Sequence, residues 1–154
     1  MANVTLQHPN VNGGTAVELP GVTGITFGWN NLNNVDPVPG KYDIVENNFG
    51  GFENPKIVIG GSFDVEDIGA NELTQELLVN FATLRSEIPI TLTIPVGSTP
   101  QYLKGRPSGG YKTDGTNSLQ NTIKVWIDSF DIRIDTTSEQ GRFWTYSITM
   151  HETI

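Results

Sequence analysis

Apolar and polar residues alternate with a period of two over much of the chain, a pattern typical of half-buried β-strands. In KIVIGGSFDV, residues 56–65, four apolar residues share one parity: Ile57, Ile59, Phe63 and Val65. The Gly60-Gly61 pair inside this segment predicts a bulge or a close backbone approach. VTGITFGW, residues 22–29, and PITLTIPV, residues 89–96, predict two further strands by their β-branched and alternating residues.

The last third of the chain contains a change of phase. In KVWIDSFDIRID, residues 124–135, Val125 and Ile127 are apolar at odd positions. The apolar positions then become even, at Phe130, Ile132 and Ile134. A β-bulge near Ser129 would permit this change, and a strand bent in this way can pass from one sheet of a sandwich to the other. RFWTYSITMHETI, residues 142–154, then predicts a final strand with Trp144, Tyr146, Ile148 and Met150 on one face.

One segment, residues 71–87, has the spacing of an amphipathic helix. Its apolar stripe consists of Leu73, Leu77, Phe81 and Leu84. Asn71 is a suitable N-cap, Arg85 would lie in the last turn, and Pro89 would stop the helix. A single stripe means one packed face, so we expect this helix to lie across a sheet.

These elements predict a mainly β fold, a sandwich or barrel of two packed antiparallel sheets with one flanking helix at about 71–87. The 154 residues are expected to form one domain. Three segments lie outside the strands: an N-terminal arm, 1–20, which we expect another molecule to order, a loop at 28–55, and a second loop at 105–120. Connections longer than about 12–15 residues are uncommon in compact domains and usually carry function, so the first loop is predicted to be a contact device.

Composition narrows the possible functions. Nine Lys and Arg against 17 Asp and Glu give a net charge of −8, so the chain should repel nucleic acid rather than bind it. There is no Cys, which excludes thiol chemistry and disulfides. No export signal is visible at the N-terminus, and no stretch approaches the roughly 20 apolar residues of a membrane span.

Candidate chemistry is sparse. GRPSGGYKT, residues 105–113, lacks the lysine of a phosphate-binding loop, because Tyr111 follows Gly110. His8 and His151 lie close to the chain ends, where a rigid, water-excluding site is hard to build. Carboxylates at 64, 66 and 67 could hold calcium but more simply form a solvated turn before the helix. We therefore predict no enzymatic activity, no cofactor and no metal.

Three tryptophans could take part in binding. Trp29, Trp126 and Trp144 could line a sugar-binding face, since a sugar ring stacks on an exposed aromatic ring. Trp144 shares parity with apolar residues of the last strand and is better explained as core. Trp126 is opposite in parity to its neighbours, so it lies either on a second packed face under the helix or exposed as an anchor for a partner.

The order of elements resembles the tail tube proteins of tailed bacterial and archaeal viruses, and the related inner-tube proteins of contractile injection machines. The resemblance covers nearly the whole chain: a small sandwich with a loose N-terminal arm, a long early loop, one helix after the third of the strands, and a final hairpin. Its most specific part is the end, where SFDI, residues 129–132, precedes WTYSITMHE, residues 144–152. The pattern also fits distal tail and baseplate-hub proteins built on the same fold.

What the resemblance implies is a structural virion protein, assembled in the host cytoplasm, that forms hexameric rings stacked into a hollow tail tube. Sheets of neighbouring subunits would join into one inner barrel, and DNA would pass through it without specific binding. The implied partners are copies of the same chain, the tape measure, the terminator and the distal tail protein, with no membrane. The alternatives are a distal tail or baseplate ring adaptor, and a carbohydrate-binding β-sandwich module.

The resemblance also assigns roles to particular residues. Loop 28–55 would be ordered by the next ring, with Tyr42, Phe49 and Phe52 as apolar anchors and Trp126 as a further candidate for contact between subunits. Six copies would carry 6 × −8 = −48 charges per ring. Asp128 and Asp131 are the candidates for carboxylates on the bore, where they would repel DNA.

Overall fold

The structure is a computed structural model, and it describes residues 4–28, 34–37, 44–47, 56–94, 122–137 and 141–153. The strands in these residues are β1 (Thr5–Gln7), β2 (Val17–Glu18), β3 (Val22–Gly28), β4 (Asn34–Pro37), β5 (Ile44–Asn47), β6 (Lys56–Asp64), β7 (Ile90–Thr93), β8 (Thr122–Ile134) and β9 (Phe143–Glu152). One helix, α1 (Gln75–Ala82), lies between β6 and β7, and a 3-10 turn, Asn12–Gly14, follows β1. The prediction of a mainly β chain with one helix is confirmed.

Seven of these strands form one antiparallel sheet in the order β2-β1-β7-β8-β9-β6-β3. Two separate packed sheets, as the sequence predicted, are not seen among the described residues. The reason lies in β8, which is long enough to pair with β7 near its start and with β9 along the rest of its length. The strands on the two sides of β8, which are β2, β1 and β7 on one side and β9, β6 and β3 on the other, therefore belong to one sheet that shares β8.

The predicted change of phase in β8 is produced by a bulge. Ile127 is in register with Met150 and Ser129 with Thr149, so Asp128 is the extra residue. Ile123 and Val125 before the bulge are buried, and Phe130 and Ile132 after it also pack against the core. The inserted residue thus keeps apolar side chains on one face of the sheet on both sides of the bend.

One hydrophobic cluster lies on that face. Most of its buried members come from alternate positions of the strands, as predicted for β6, β7 and β9: Leu6, Val17, Ile57, Ile59, Phe63, Ile90, Leu92, Ile123, Val125, Tyr146, Ile148 and Met150. Leu78 and Phe81 of α1 complete the cluster from above the sheet. The opposite face of the sheet, here called the outer face, carries the alternate polar residues.

The N-terminal segment differs from the expectation of an arm ordered by another molecule. β1 pairs with both β7 and β2, so it is an interior strand of the sheet. Val4, Leu6 and Val11 are buried in the core, as is Leu19, whose N–H donates to the carbonyl of Val4 at 2.9 Å. Residues 4–20 are therefore ordered by their own domain. A strand of three residues is too short to give a clear periodic signal in the sequence.

His8 is fully buried, contrary to the expectation that a histidine so near the chain end would lie in a poorly ordered setting. Its Nδ1 accepts a hydrogen bond from the backbone N–H of Asn10 at 3.0 Å. The ring proton must therefore be on Nε2, which lies 2.8 Å from the carbonyl of Ile88 and donates to it. His8 thus ties the N-terminal segment to the connection between α1 and β7.

Helix α1 is shorter than predicted. Residues 71–73 run beside β2 instead, where the N–H of Glu18 donates to the carbonyl of Asn71 and the N–H of Leu73 to the carbonyl of Glu18. Asn71 has φ of 61° and is not the N-cap. The cap is Thr74, whose hydroxyl accepts from the N–H of Leu77 at 3.2 Å. The helix ends at Ala82, so Arg85 lies beyond its last turn.

The sequence indicated that segment 28–55 is a loop without regular structure, but part of it forms strands. It contains the antiparallel pair β4 and β5, in which Asn34 is in register with Asn47 and Pro37 with Ile44. These two strands form a sheet of their own and pair with no other strand in the described part of the chain. Four residues on each side are too few to show a period against a background of Asn, Pro and Gly.

The predicted close approach at the Gly60-Gly61 pair is confirmed at Gly61. A Cβ added there would clash with the hydroxyl of Tyr146 and lie 2.6 Å from its Cζ. That hydroxyl donates to the carbonyl of Pro20 at 2.6 Å, which links β9 to the turn between β2 and β3. Burial raises the pKa of the Tyr146 hydroxyl well above its ordinary value, so the group stays protonated and remains a donor.

Replacing Gly61 with Ala should therefore destabilise the fold by about 1–3 kcal/mol, because the new methyl group displaces Tyr146 and its hydrogen bond to Pro20. Urea denaturation at neutral pH measures the change in the free energy of unfolding. Gly24→Ala is the matched control, since a Cβ at this strand glycine has nothing within 4 Å. Equal effects of the two variants would contradict the role assigned to Gly61.

Candidate assembly surface

Half of the large sheet is a four-stranded unit whose two outer strands, over residues 22–26 of β3 and 126–134 of β8, pair on one side only in the described part of the chain. It consists of residues 126–134 of β8 followed by β9, β6 and β3. The other half consists of β2, β1, β7 and residues 122–125 of β8. Since β7 begins at Ile90, opposite Val125, the rest of β8 extends beyond it. We call residues 126–134, β9, β6 and β3 the four-stranded half.

The edge formed by β3 lacks the charged residues and prolines that often protect a strand against pairing with another chain, and a bulge between Val22 and Gly24 is the one irregularity in its pairing with β6. Its residues, VTGITFG, include no charged residue and no proline. Over residues 22–26, β3 pairs only with β6 in the described part of the structure. Natural proteins usually shield such an edge with Lys, Pro, a bulge or a covering segment, so an uncharged strand of this length is a surface suited to strand addition.

The second unpaired edge is the far side of β8 over residues 126–134. In the described ranges this stretch pairs with β9 alone. By contrast, the third edge of the sheet, at β2, is covered by residues 71–73 through two backbone hydrogen bonds of 2.7 and 2.8 Å. The unpaired edges thus both belong to the four-stranded half, one on each side of it.

The outer face of the four-stranded half is rich in hydroxyl groups. These come from Thr26, Ser62, Ser129, Thr145, Ser147 and Thr149, which the strand registers place on this face. Asp131, one of the two carboxylates assigned to the bore, lies on the same face in register with Ser147 and is exposed. Lys56 and Arg133 also lie there, so positive and negative side chains are interspersed on this face.

Trp126, Asp128 and His151 lie close together on this face. Trp126 is half-buried and in register with His151 across the β8–β9 pair. The carboxylate of Asp128, at the bulge, lies 2.6 Å from Nδ1 of His151. The position of Trp126 outside the main core agrees with its opposite parity. Asp128, the other carboxylate assigned to the bore, therefore already has a partner.

Several predicted site residues lie outside the described residues. These are the three loop anchors Tyr42, Phe49 and Phe52, together with Trp29 and the whole of loop 105–120. Their roles stay predictions. Trp144, by contrast, is placed in the core as expected, with its ring 5.6 Å from that of Phe63 and its indole N–H donating to the carbonyl of Gly141.

Two of the carboxylates considered for calcium, those of Asp64 and Glu66, lie beside the guanidinium of Arg142. The Arg142 guanidinium donates to both oxygens of Asp64, at 2.8 and 2.6 Å, and lies 3.5 Å from Glu66. These hydrogen bonds hold the pKa of the Asp64 carboxyl below its ordinary value. No group of three metal-ligating side chains is present in the ranges that the structure covers. Asp64 is a structural ion-pair partner that joins the end of β6 to the start of β9.

The sequence matches no protein-family model, and no match was found among curated proteins. Among the described residues, no helix is long and apolar enough to cross a membrane. What indicates a function is therefore the surface itself. Sequence reasoning missed the two unpaired edges, and the one signal for them was the lack of charge and proline in β3.

The Arg142–Asp64 pair should make stability depend on pH. Because the Asp64 pKa is lowered in the folded state, the pair stabilises the fold above about pH 4 and this contribution is lost as pH falls through the folded pKa. Arg142→Gln should lower the melting temperature at pH 7, and the gap from the wild type should narrow below pH 4. Arg85→Gln is the control, and a gap for Arg142→Gln that does not change with pH would refute the assignment.

Proposed function

We propose that this chain is a structural protein that assembles into closed rings by pairing β3 of one copy with residues 126–134 of β8 in the next. The observation that carries the proposal is the pair of unpaired edges on opposite sides of the four-stranded half. A copy with two different free edges can join neighbours on both sides, and such head-to-tail contacts close into a ring when the rotation permits.

Strand direction supports this pairing. β8, β9, β6 and β3 are antiparallel in succession, so β3 runs opposite to β8. If neighbouring copies are related by rotation about an axis along the strands, β3 meets the next β8 antiparallel. The junction then continues the same hydrogen-bonding pattern, and the sheet closes into a barrel that leaves no open edge.

Charge also favours β3 against β8 over two copies of β8. Residues 126–134 carry Asp128, Asp131 and Arg133, and an antiparallel pair of two such strands risks placing like charges opposite each other. β3 has no charge and presents no such conflict with β8.

In this proposal the outer face lines the bore, as in the viral tail tubes that the sequence resembles, and the assembly is a hexameric, stacked tail tube for genome passage. Hydroxyl groups with interspersed charges would give a wetted wall without a strong field of either sign. The largest acidic concentration lies elsewhere: residues 64–76 include five acidic residues and no basic one. Asp128 and Asp131 therefore contribute less repulsion of DNA in this proposal than their sequence positions suggested.

The carbohydrate-binding alternative receives less support. Trp144 packs in the core, and Trp126 is half-buried beside His151, so the two described tryptophans do not form an open aromatic platform. The ring adaptor uses the same two edges and differs from the tube in forming a single ring.

Negative-stain electron microscopy over a concentration series, with light scattering on the same samples, tests the assembly directly. The expected result is rings, and stacks of rings at higher concentration. Rings that never stack would favour the adaptor. A monomer at every concentration would refute assembly and direct the work to glycan binding.

Engineered cysteines test which strands meet, because the chain has no natural Cys. Thr26→Cys on β3 is combined in turn with Ser129→Cys, Asp131→Cys or Arg133→Cys on β8, all on the outer face. At least one combination should give, on mild oxidation, a ladder of covalent multimers that ends at the ring size, since paired strands bring Cβ atoms within disulfide range. Denaturing gel electrophoresis without reductant measures the ladder.

Thr26→Cys with Ser147→Cys is the matched control. Ser147 lies on the same face but on β9, which is paired on both sides by β8 and β6. This combination should give no ladder. Rings that form without a ladder from any β3–β8 combination, or dimers from Thr26→Cys alone, would show that the edges pair differently.

A further inference from the structure

The turn between β1 and β2 requires backbone angles that few residues adopt. Asn12, Gly13 and Gly14 all have positive φ, at 52°, 63° and 82°. Glycine enters this left-handed region without strain, and asparagine is one of the few residues with a side chain that does so routinely. The geometry of the turn therefore favours the sequence Asn-Gly-Gly at these three positions.

Asn12 is the only asparagine of the chain that is followed by glycine. This order matters because a backbone nitrogen can attack the side-chain carbonyl carbon of the asparagine before it and form a five-membered succinimide ring. A side chain on the attacking residue hinders the approach, and glycine has none. The other asparagines precede residues that carry a side chain, as Asn10 precedes Val11 and Asn71 precedes Glu72.

The turn leaves the attacking nitrogen accessible. Gly13 is exposed, and a Cβ built on it would have nothing within 4 Å. The next two residues use their backbone donors, since the N–H of Gly14 donates to the carbonyl of Val11 and the N–H of Thr15 to that of Asn12. The N–H of Gly13 donates no hydrogen bond within the described part of the chain. Its deprotonation, which has to precede attack, therefore breaks no backbone hydrogen bond.

The side chain of Asn12 links the turn to a more distant segment. Its Nδ2 donates to Oδ1 of Asn71 at 3.1 Å, in a contact that is exposed to solvent. The backbone carbonyl of Asn71 accepts from the N–H of Glu18 at 2.7 Å. Because Asn71 begins the segment 71–73 that covers the edge of the sheet at β2, Asn12 helps to hold that cover in place.

We propose that Asn12 is a site of spontaneous deamidation. The backbone nitrogen of Gly13 loses its proton to solvent and bonds to Cγ of Asn12, and the Cγ–Nδ2 bond breaks as Nδ2 takes up a proton and leaves as ammonia. Water then opens the succinimide at either of its carbonyl carbons. One opening yields aspartate, and the other yields isoaspartate, in which the main chain passes through Cβ and Cγ. The net reaction consumes one water and releases one ammonia, with no oxidation.

Both products loosen the link between the turn and residues 71–73. Each lacks the amide that donates to Asn71 and places a negative charge there instead. Isoaspartate also lengthens the main chain by one atom and removes from it the carbonyl of residue 12, which accepts from the N–H of Thr15. Deamidation therefore weakens the cover on the β2 edge, which is protected by two backbone hydrogen bonds in the unmodified chain.

Peptide mapping by mass spectrometry tests the site. The purified full chain is incubated at about 37 °C, at about pH 6.5 and about pH 8.5. A mass gain of about 1 Da is expected at Asn12, while Asn10 and Asn71 serve as internal controls. The gain should be several times faster at the higher pH, because attack needs the deprotonated nitrogen. Gly13→Ala should slow it by about tenfold, since the added methyl group hinders attack and meets no neighbour.

Hydrogen exchange tests the consequence. Incubated wild-type protein should exchange faster than fresh protein at residues 17–18 and 71–73. Asn12→Gly, which suits the positive φ and cannot deamidate at this position, should exchange equally before and after incubation. No mass gain at Asn12, a faster gain at another asparagine, or an equal rate in Gly13→Ala would overturn the site. Deamidated protein with unchanged exchange would overturn its effect on the β2 edge.

Discussion

The extra residue at Asp128 is the constraint on which the sheet depends. Before it, β8 presents Ile123 and Val125 to the core while pairing with β7, and after it Phe130 and Ile132 face the same core while β8 pairs with β9. In a strand without the bulge, period-two geometry would turn Phe130 and Ile132 to the outer face. One inserted residue thus allows a 13-residue strand to serve both halves of the sheet. The contact between the Asp128 carboxylate and Nδ1 of His151 lies at the bulge, on the outer face.

The same bend determines where the sheet is incomplete. Because β7 is only four residues long, β8 loses its partner where it bends away, and its second half becomes an edge. At the other side, the Tyr146 hydroxyl and Gly61 fix the turn into β3 through Pro20, and over residues 22–26 β3 pairs with β6 alone in the described part of the structure. At β2, by contrast, residues 71–73 leave the predicted helix to cover the edge. Among the described residues, one edge of the sheet is thus covered, and the edges at β3 and at the second half of β8 pair on one side only.

The alternation of apolar and polar residues predicted those strands whose pattern is visible within a single segment. Alternation identified β6, β7 and β9, and the phase change in residues 124–135 predicted the bulge within one residue of Asp128. The errors have non-local causes. Asn71 has the chemistry of an N-cap, but its carbonyl is used by Glu18, far away in sequence. His8 is buried because Ile88 supplies an acceptor. Which edges remain unpaired depends on strand order, which no single segment encodes, and the predicted anchors Tyr42, Phe49 and Phe52 lie beyond the described residues.

The distribution of charge differs between the outer face of the sheet and the segment at and beyond the end of β6. If DNA slid past a strongly acidic wall, each carboxylate would also repel those of neighbouring copies around the same narrow bore, which opposes ring closure. The outer face avoids that conflict, because Lys56 and Arg133 are interspersed with Asp131, and hydroxyl groups fill much of the remainder. Residues 64–76, which supply five of the 17 acidic residues, lie at and beyond the end of β6. In the proposed tube, a wall that neither binds nor strongly repels phosphate would permit both assembly and passage, with the largest group of acidic residues outside the two edge strands β3 and β8.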